Sequence, residues 1–133
     1  MSKKVIPVAG VFPYEPLGFT NCVRVGEMLY LSGIAGVDEE GKIVAADIEA
    51  QTVQTFKNIE RILQAAGSGL DQIAQMTSFV VDLERNGFRY VEARKKILTR
   101  HDYTSTTIGV SALLTPGALL EVQCRACLPD GQS

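Results

Sequence analysis

One carboxylate, Glu121, stands inside the apolar run Leu119–Val122 near the end of the chain. A charge that is buried without a partner is costly, so a carboxylate there must be hydrogen-bonded or used by the protein. A carboxylate whose pKa is raised by apolar surroundings can hold a water molecule and carry protons to and from a substrate. A structural salt bridge or a subunit contact is the alternative for Glu121, and Gln123 is a further candidate on the same strand face.

The other residue types that could do chemistry are sparse. Ser32 could act as a nucleophile only beside a base, and the single histidine, His101, lies at a predicted helix end. A hydroxyl that bonds the backbone at a strand end is the alternative for Ser32. The three cysteines, Cys22, Cys124 and Cys127, are too few and too irregular for a disulfide framework. The C-x-x-C pair falls at the end of a strand, where residues three apart point to opposite faces, so we interpret these thiols as structural.

Composition excludes several classes of protein. The chain of 133 residues suits one domain, residues 1–133, and its net charge of -2 with no basic cluster larger than Arg94-Lys95-Lys96 argues against nucleic-acid binding. The apolar runs are too short for a membrane span, and the first residues lack the apolar stretch of a signal peptide. We therefore expect a cytoplasmic protein. The segment Gly33–Gly36 lacks the lysine and the spacing of a phosphate-binding loop, so its glycines are interpreted as serving a turn.

The elements that must position these residues follow from periodicity. Two short strands turn at Gly26-Glu27, and two final strands are joined by a turn at Pro116-Gly117. A helix is predicted over Asp47–Ala66 and a second over Gly87–Arg100, with a strand between them inside residues 73–82. The inward residues are predicted to be Ile48, Val53, Phe56, Ile59, Leu63 and Ala66 in the first helix, with Gln51 off this stripe, and Phe88, Val91, Ile97 and Leu98 in the second.

The predicted order is β-β-β-α-β-α-β-β, an α+β fold with one sheet and both helices on one of its faces. Several strands, including Cys22–Val25, Met28–Leu31 and Thr77–Val81, are apolar at most positions rather than at alternate ones. Both faces of the sheet should then be buried, one by the helices and the other by a partner subunit. The sequence thus predicts an oligomer.

Five segments, taken in order, resemble the RidA/YjgF family of imine- and enamine-processing proteins. These segments are Val25–Gly33, Gln64–Gly67, Thr77–Leu83, Ser105–Val110 and Leu119–Val122. The last two resemble the closing hairpin of the family, and the similarity extends over roughly residues 17–128. The resemblance implies a chorismate-mutase-like fold, a homotrimer with three clefts at the subunit interfaces, and hydrolysis of imines or enamines to a keto acid and ammonia. It also implies that neither a metal nor a prosthetic group is needed. Some relatives deaminate compounds of the 2-aminomuconate type.

The resemblance also assigns roles to individual residues. Glu121 matches the glutamate that positions the attacking water. Ser32 and Gly33 match the pair beside the ligand, with the Gly33 amide as a donor. Phe19 falls where the family usually has tyrosine, so the hydroxyl is lost but the ring can still wall the pocket. Tyr14 is interpreted as a packing residue, with a hydroxyl lent to an adjacent subunit's cleft as the alternative.

The chain departs from the family where substrate choice is decided. Ser105, with Thr106 as the alternative register, falls where other members have an arginine that clamps the substrate carboxylate, and neither hydroxyl can replace a bidentate cation. An atypical imine or enamine substrate, uncharged or larger, is therefore expected. The alternatives are a non-catalytic small-molecule-binding or regulatory trimer, and a catabolic deaminase of the 2-aminomuconate type. The arginines considered as replacement cations, Arg24, Arg85, Arg89 and Arg125, have nothing in the sequence that directs them to the cleft.

Overall fold

A computed structural model describes residues 2–131 and shows the predicted α+β architecture. Within these residues the elements follow one another as β-β-β-β-α-β-α-β-β, with one strand, β4, that is only two residues long and was not predicted. The strands are β1 (Lys3–Val5), β2 (Cys22–Val25), β3 (Met28–Leu31), β4 (Ile34–Ala35), β5 (Ile73–Val81), β6 (Thr104–Val110) and β7 (Leu120–Cys127). The helices are α1 (Ile48–Ala65) and α2 (Leu83–Ile97), and short 3₁₀ turns occupy Glu15–Leu17 and Leu70–Gln72.

The strands form one sheet in the order β1-β2-β3-β7-β5-β6, with β4 paired to β7 as well. Only β5 and β6 are parallel, and every other pairing is antiparallel. The predicted closing hairpin is wrong, because β5 lies between β6 and β7. The crossover through α2 places β6 parallel to β5, as a connection of that length allows. The long loop over residues 111–119 then lets β7 enter the sheet on the other side of β5.

Helix α1 begins and ends as the sequence predicts, but its buried face is different. The Asp47 carboxylate caps its first turn by accepting from the Ala50 amide at 3.1 Å, and Gly67 follows its end with a φ of 82°. Val53, predicted inward, is 42% exposed, whereas Gln51, predicted outward, is fully buried. Gln51 is tolerated there because its side-chain amide is fully occupied with backbone groups.

The contacts of Gln51 hold the loop before β7 against α1. Its Nε2 donates to the carbonyls of Ala45 at 2.8 Å and Gly117 at 3.1 Å, and its Oε1 accepts from the Leu119 amide at 2.8 Å. Leu119 and Gly117 immediately precede the strand that carries Glu121. The buried amide therefore fixes where β7 begins.

Helix α2 begins earlier and turns a different face inward than predicted. It starts at Leu83 after the N-cap Asp82, and it ends at Ile97. Phe88, predicted inward, is 85% exposed, and the buried positions are instead taken by Tyr90 and Arg94. These two polar residues, one turn apart, were not counted in the apolar stripe, which explains the wrong phase. The Tyr90 hydroxyl hydrogen-bonds the Ser78 hydroxyl of β5 at 2.5 Å.

The two faces of the sheet differ in burial. On β5, Met76, Ser78 and Val80 are fully buried beneath the helices, while the alternate residues Thr77 and Phe79 remain half-buried. We call the second face, away from the helices, the open face. Its described side chains include Val5, Tyr30, Thr77, Phe79, Thr106, Ile108, Glu121, Gln123 and Arg125. No helix among residues 2–131 is long and apolar enough to span a bilayer.

Candidate active site

Glu121 lies in the middle of the sheet on the open face. It alternates with the fully buried Leu120 and Val122 of β7, and it pairs with Phe79 of β5 on one side and Ala35 of β4 on the other. Within the part of the chain that the structure describes, its carboxylate makes no salt bridge. Partial burial raises the pKa of Glu121, because desolvation disfavours the charged form. Glu121 is thus a half-buried carboxylate that has no salt-bridge partner among the described residues.

The glycines on either side of β4 permit two close approaches. A Cβ atom on Gly33 would lie 2.5 Å from the Glu121 carboxyl carbon, and one on Gly36 would lie 2.7 Å from the backbone oxygen of Gln51. Neither glycine has a positive φ. The interpretation that they serve a turn is therefore wrong, since both are needed because other atoms occupy the space of a side chain. The Glu121 carboxylate rests directly on the Gly33 backbone.

Aromatic residues from the segment before β2 enclose the same place. The Tyr14 hydroxyl donates to the Gly33 carbonyl at 2.9 Å, and its ring centroid lies 4.6 Å from that of Phe19. Burial, together with the nearby charge of Glu121, raises the pKa of Tyr14 to about 12, so its hydroxyl stays a neutral donor. The sequence favours a packing role for Tyr14, with a hydroxyl lent to an adjacent subunit's cleft as the alternative. The spacing of Tyr14 from Phe12 and Phe19 around a proline-rich turn is the signal that could have linked it to the site.

Ser32 adjoins this cluster but its hydroxyl is already engaged. It donates to the Thr20 carbonyl at 2.6 Å, while the Ser32 amide donates to the Asn21 carbonyl at 3.0 Å. This is the backbone-bonding alternative considered for Ser32. The hydroxyl oxygen retains lone pairs for a ligand donor. The Thr20 hydroxyl oxygen next to it is buried and has no hydrogen-bond partner.

Ser105 and Thr106 lie two strands away from Glu121. On β6, Ser105 pairs with the buried Met76 and therefore points to the helix side, whereas Thr106 pairs with Thr77 on the open face. Strand spacing and register put the Cα atom of Thr106 about 12 Å from that of Glu121 within one protomer. The structure thus brings Glu121 and Gly33 together and links Phe19 to them through Tyr14. Ser32 precedes Gly33 in the chain, and Ser105 and Thr106 lie apart from this group.

Similarity to known protein sequences assigns the chain to a family. The sequence profile described as Endoribonuclease L-PSP matches residues 9–128. The chain belongs to this family. It is 30% identical to the RutC family protein UK114 of Drosophila melanogaster over 93% of this chain and 88% of that protein. It is also 30% identical to the chloroplastic Reactive Intermediate Deaminase A of Arabidopsis thaliana, over 83% of this chain and 58% of that protein.

Solved structures agree with the assignment to the RidA/YjgF family. A Yersinia pestis protein described as belonging to the conserved Rid protein family, YyfA, is 29% identical. It superposes with a TM-score of 0.86 over 96% of this chain and 100% of that one. Yeast Mmf1, at 21% identity and a TM-score of 0.88, has the same fold over 96% of this chain and 99% of that chain. The resemblance read from the sequence and its implied fold are confirmed.

Arg94 was not among the candidates from the sequence, yet it contacts Ser105. From α2, its Nη1 donates to the Ser105 hydroxyl at 2.8 Å, at the position where the resemblance expects an arginine. Its guanidinium carbon lies 5.1 Å from the Tyr90 ring centroid and 5.6 Å from that of Tyr103. The arginines named as replacement cations did not include it, because Arg94 stands in a basic run that resembles a solvated helix end.

The described residues contain no group of three or more histidine, cysteine or acidic side chains that could hold a metal ion. Cys22 and Cys124 are buried free thiols, and burial raises their pKa values to about 11 and about 12. Such thiols are poor nucleophiles and poor metal ligands at neutral pH. Cys127 is less buried, and its thiol lies 3.3 Å from the Gln72 side-chain oxygen.

Proposed function

We propose that the protein hydrolyses reactive imines or enamines to a carbonyl compound and ammonia without a cofactor, and that Glu121 positions the attacking water. The observation that carries this proposal is the state of Glu121. Its carboxylate is half-buried, has a raised pKa and lies against Gly33 with no cation to neutralise it among the described residues. An acid that only stabilised the fold would be paired at this depth. The deaminase named among the relatives supports the same chemistry.

The proposed reaction needs one carboxylate that is used twice. The ionised Glu121 accepts a proton from water as the water oxygen bonds to the imine carbon and the C=N electron pair moves to nitrogen. The carboxylic acid so formed gives that proton to nitrogen, which yields a carbinolamine. Glu121 then takes the remaining hydroxyl proton and passes it to the same nitrogen, so that the C–N bond breaks, ammonia leaves and the carbonyl forms. A raised pKa brings the two protonation states of Glu121 closer in free energy near neutral pH, as these proton transfers require. An enamine enters this sequence after protonation at carbon.

We further propose that the complete site forms between copies in a homotrimer in the cytoplasm. Ser105 and Thr106 are too far from Glu121 within one protomer to share a small substrate with it. The open face also exposes apolar side chains, with Val5 at 58%, Tyr30 at 38% and Ile108 at 41%. A second copy placed on this face would cover them and bring its own β6 to the cleft. Sedimentation equilibrium tests this, and a monomer would refute it.

The test of the reaction is ammonia release from enamines and imines generated in situ. The wild type should accelerate release, and Glu121→Gln should lower kcat/KM by about 100-fold or more, as expected when an acid–base group is removed. Glu27→Gln, at an exposed position in the β2–β3 turn, is the matched control and should retain full activity. Equal rates for wild type and Glu121→Gln would refute the role given to Glu121.

A non-catalytic binding protein is the competing outcome of the same experiment. The absence of an arginine at position 105 favours it, since family members with that arginine have a ready clamp for substrate. Thermal stabilisation by keto acids or carbonyl compounds, without any acceleration of ammonia release, would indicate binding alone.

A further inference from the structure

The Tyr14 hydroxyl and the Glu121 carboxylate meet on the same residue, Gly33. The hydroxyl donates to the Gly33 carbonyl at 2.9 Å, and a Cβ atom on Gly33 would lie 2.5 Å from the Glu121 carboxyl carbon. Tyr14 precedes β2 and Gly33 follows β3, so this hydrogen bond joins two segments that are 19 residues apart in the chain. A movement of the Gly33 backbone would therefore move the surface on which the carboxylate packs.

A tight turn holds the backbone of Tyr14. Its carbonyl accepts from the Leu17 amide at 2.9 Å and from the Phe19 amide at 3.4 Å, across the 3₁₀ turn that follows it. Gly18 closes this turn with a φ of 93°, in the left-handed region that favours glycine. The Tyr14 ring contacts those of Phe12 and Phe19, with centroid distances of 6.0 and 4.6 Å. Backbone and ring together keep the hydroxyl at one place.

The hydroxyl is a neutral donor close to a carboxylate. Burial, and after it the charge of Glu121, raises the pKa of Tyr14 to about 12. The two groups are thus near enough for their charges to interact, and an ionised Tyr14 would oppose an ionised Glu121. Packing against two phenylalanine rings requires only the ring of Tyr14, which a phenylalanine would supply equally well. The hydroxyl is the part of this residue that connects it to the site.

We propose that Tyr14 is a positioning residue for the reaction at Glu121. Its hydroxyl holds the Gly33 backbone in place, and Gly33 in turn holds the carboxylate that takes the proton from water. The inference rests on the proposed function for the reaction itself. None of the five segments that resemble the RidA/YjgF family contains Tyr14. The role comes from its contacts in the structure.

Steady-state kinetics of ammonia release test this role. Tyr14→Phe keeps the ring and should lower kcat by about 10-fold with KM unchanged, because a poorly held carboxylate affects the attack of water and not the binding of substrate. Adding Tyr14→Phe to Glu121→Gln should cause little further loss, because both changes act through the same carboxylate. Tyr30→Phe removes the hydroxyl of an exposed tyrosine on β3, and this matched control should keep full activity.

The pH profile separates positioning from a purely structural contribution. With a pKa of about 12, wild-type Tyr14 stays protonated up to pH 10. 3,5-Difluorotyrosine at position 14 has a more acidic hydroxyl, which loses its proton at lower pH and can then no longer donate to the Gly33 carbonyl. The ratio of its kcat to that of the wild type should therefore fall as pH rises from 7 to 10. A ring that only packs would give a constant ratio.

The titration of Glu121 gives a readout that needs no turnover. It can be followed by carbon NMR with glutamate labelled at the carboxyl carbon. Tyr14→Phe should raise the pKa of Glu121, because the Gly33 carbonyl loses its donor and presents its full negative end beside the carboxylate. Tyr30→Phe should leave that pKa unchanged.

The outcomes separate this inference from the proposed function. Wild-type kcat in Tyr14→Phe, a kcat ratio that is constant with pH, additive losses in the double variant, or an unchanged pKa of Glu121 would each overturn the role of Tyr14. If Glu121→Gln loses activity and Tyr14→Phe does not, only this inference fails. If the wild type does not accelerate ammonia release but Tyr14→Phe raises the pKa of Glu121, the proposed function fails and the link between the two residues stands. Should Tyr14→Phe not fold, the fluorinated variant decides.

Discussion

Glu121 and Arg94 lie on opposite faces of the same sheet, and each is a charged residue in a partly or fully buried position. Neither residue has an ion-pair partner among the described residues, whereas the exposed Arg89 and Arg100 are both paired with acids. The two buried side-chain atoms without hydrogen-bond partners in residues 2–131 also fall one in each region, at Thr20 and at Arg94. Pairing thus occurs where it stabilises the fold least. The two charges that burial makes costly are the ones left without an ion-pair partner among the described residues.

The regions differ in how they keep their charge in place. Glu121 is held by close packing, because its carboxylate rests on the backbone of Gly33 with Tyr14 nearby. Arg94 is held by neutral hydrogen bonds and by aromatic rings. A side chain held by packing should be sensitive to a single methyl group. A side chain held by polar contacts should be sensitive to the loss of a hydroxyl.

The largest effect is expected at Gly33. In Gly33→Ala the new methyl group would occupy the space of the Glu121 carboxylate and displace it. A displacement on the order of 1 Å lowers activity about 100-fold in a positioned site, so kcat/KM for ammonia release should fall by about that factor. Gly69→Ala is the control, because its Cβ would meet only an Asp71 carboxylate oxygen, at 3.1 Å.

A second variant excludes a general loss of structure at Gly33. Adding Gly33→Ala to Glu121→Gln should cause little further loss of activity, because both changes act on the same carboxylate. Additive losses would show that Gly33 acts independently of Glu121.

On the helix side, the free energy of unfolding should distinguish a structural hydrogen bond from the unpaired charge. Tyr90→Phe should cost about 1–2 kcal/mol, because the buried Ser78 hydroxyl loses its partner. Arg94→Met should be neutral or stabilising by up to about 2 kcal/mol, because it removes an uncompensated buried charge. Urea denaturation measures both. If Arg94→Met destabilises as much as Tyr90→Phe does, Arg94 is a structural residue.

The stability of the protein should also depend on the charge of Glu121 with a definite sign. Burial raises the folded-state pKa of this carboxyl, so the stability it contributes is fully present below its unfolded pKa and is lost as pH rises through the folded pKa. Glu121→Gln has no such loss. Urea midpoints of Glu121→Gln and wild type should therefore diverge, with the variant gaining relative stability from pH 4 to pH 7. If the urea midpoint of Glu121→Gln does not rise relative to that of the wild type over this range, partial burial does not raise the pKa of Glu121.

The sequence predicted the fold well because local signals carry it. Hydrophobic period, the Asp47 cap and the turn at Gly26-Glu27 place α1, β2 and β3 as observed. Strand neighbours were mispredicted because pairing depends on long-range geometry: β5 separates β6 from β7 although the chain connects the latter two directly. Local patterns carry no information about which strand fills that position.

Buried polar residues account for most of the remaining errors. Gln51, Tyr90 and Arg94 occupy inward positions, and each is tolerated because specific partners satisfy its polar atoms in whole or in part. Those partners are distant in sequence, so no helical periodicity indicates them. The absence of an arginine at position 105 was visible in the sequence. The arginine that reaches Ser105 from α2 was visible only in three dimensions.

The smallest effect is expected at Phe19, which tests whether the Glu121 region depends on shape or on hydroxyl chemistry. Phe19→Tyr restores the hydroxyl that the family usually has, on a ring that already packs on Tyr14 and is 41% exposed. If packing holds this region, kcat/KM should change by less than about threefold, since a hydroxyl at an exposed edge can remain hydrated and contributes little net free energy. Steady-state kinetics of ammonia release measure it. A tenfold rise in kcat/KM in Phe19→Tyr would show that the site needs a hydroxyl donor at position 19, and that packing alone does not determine its activity.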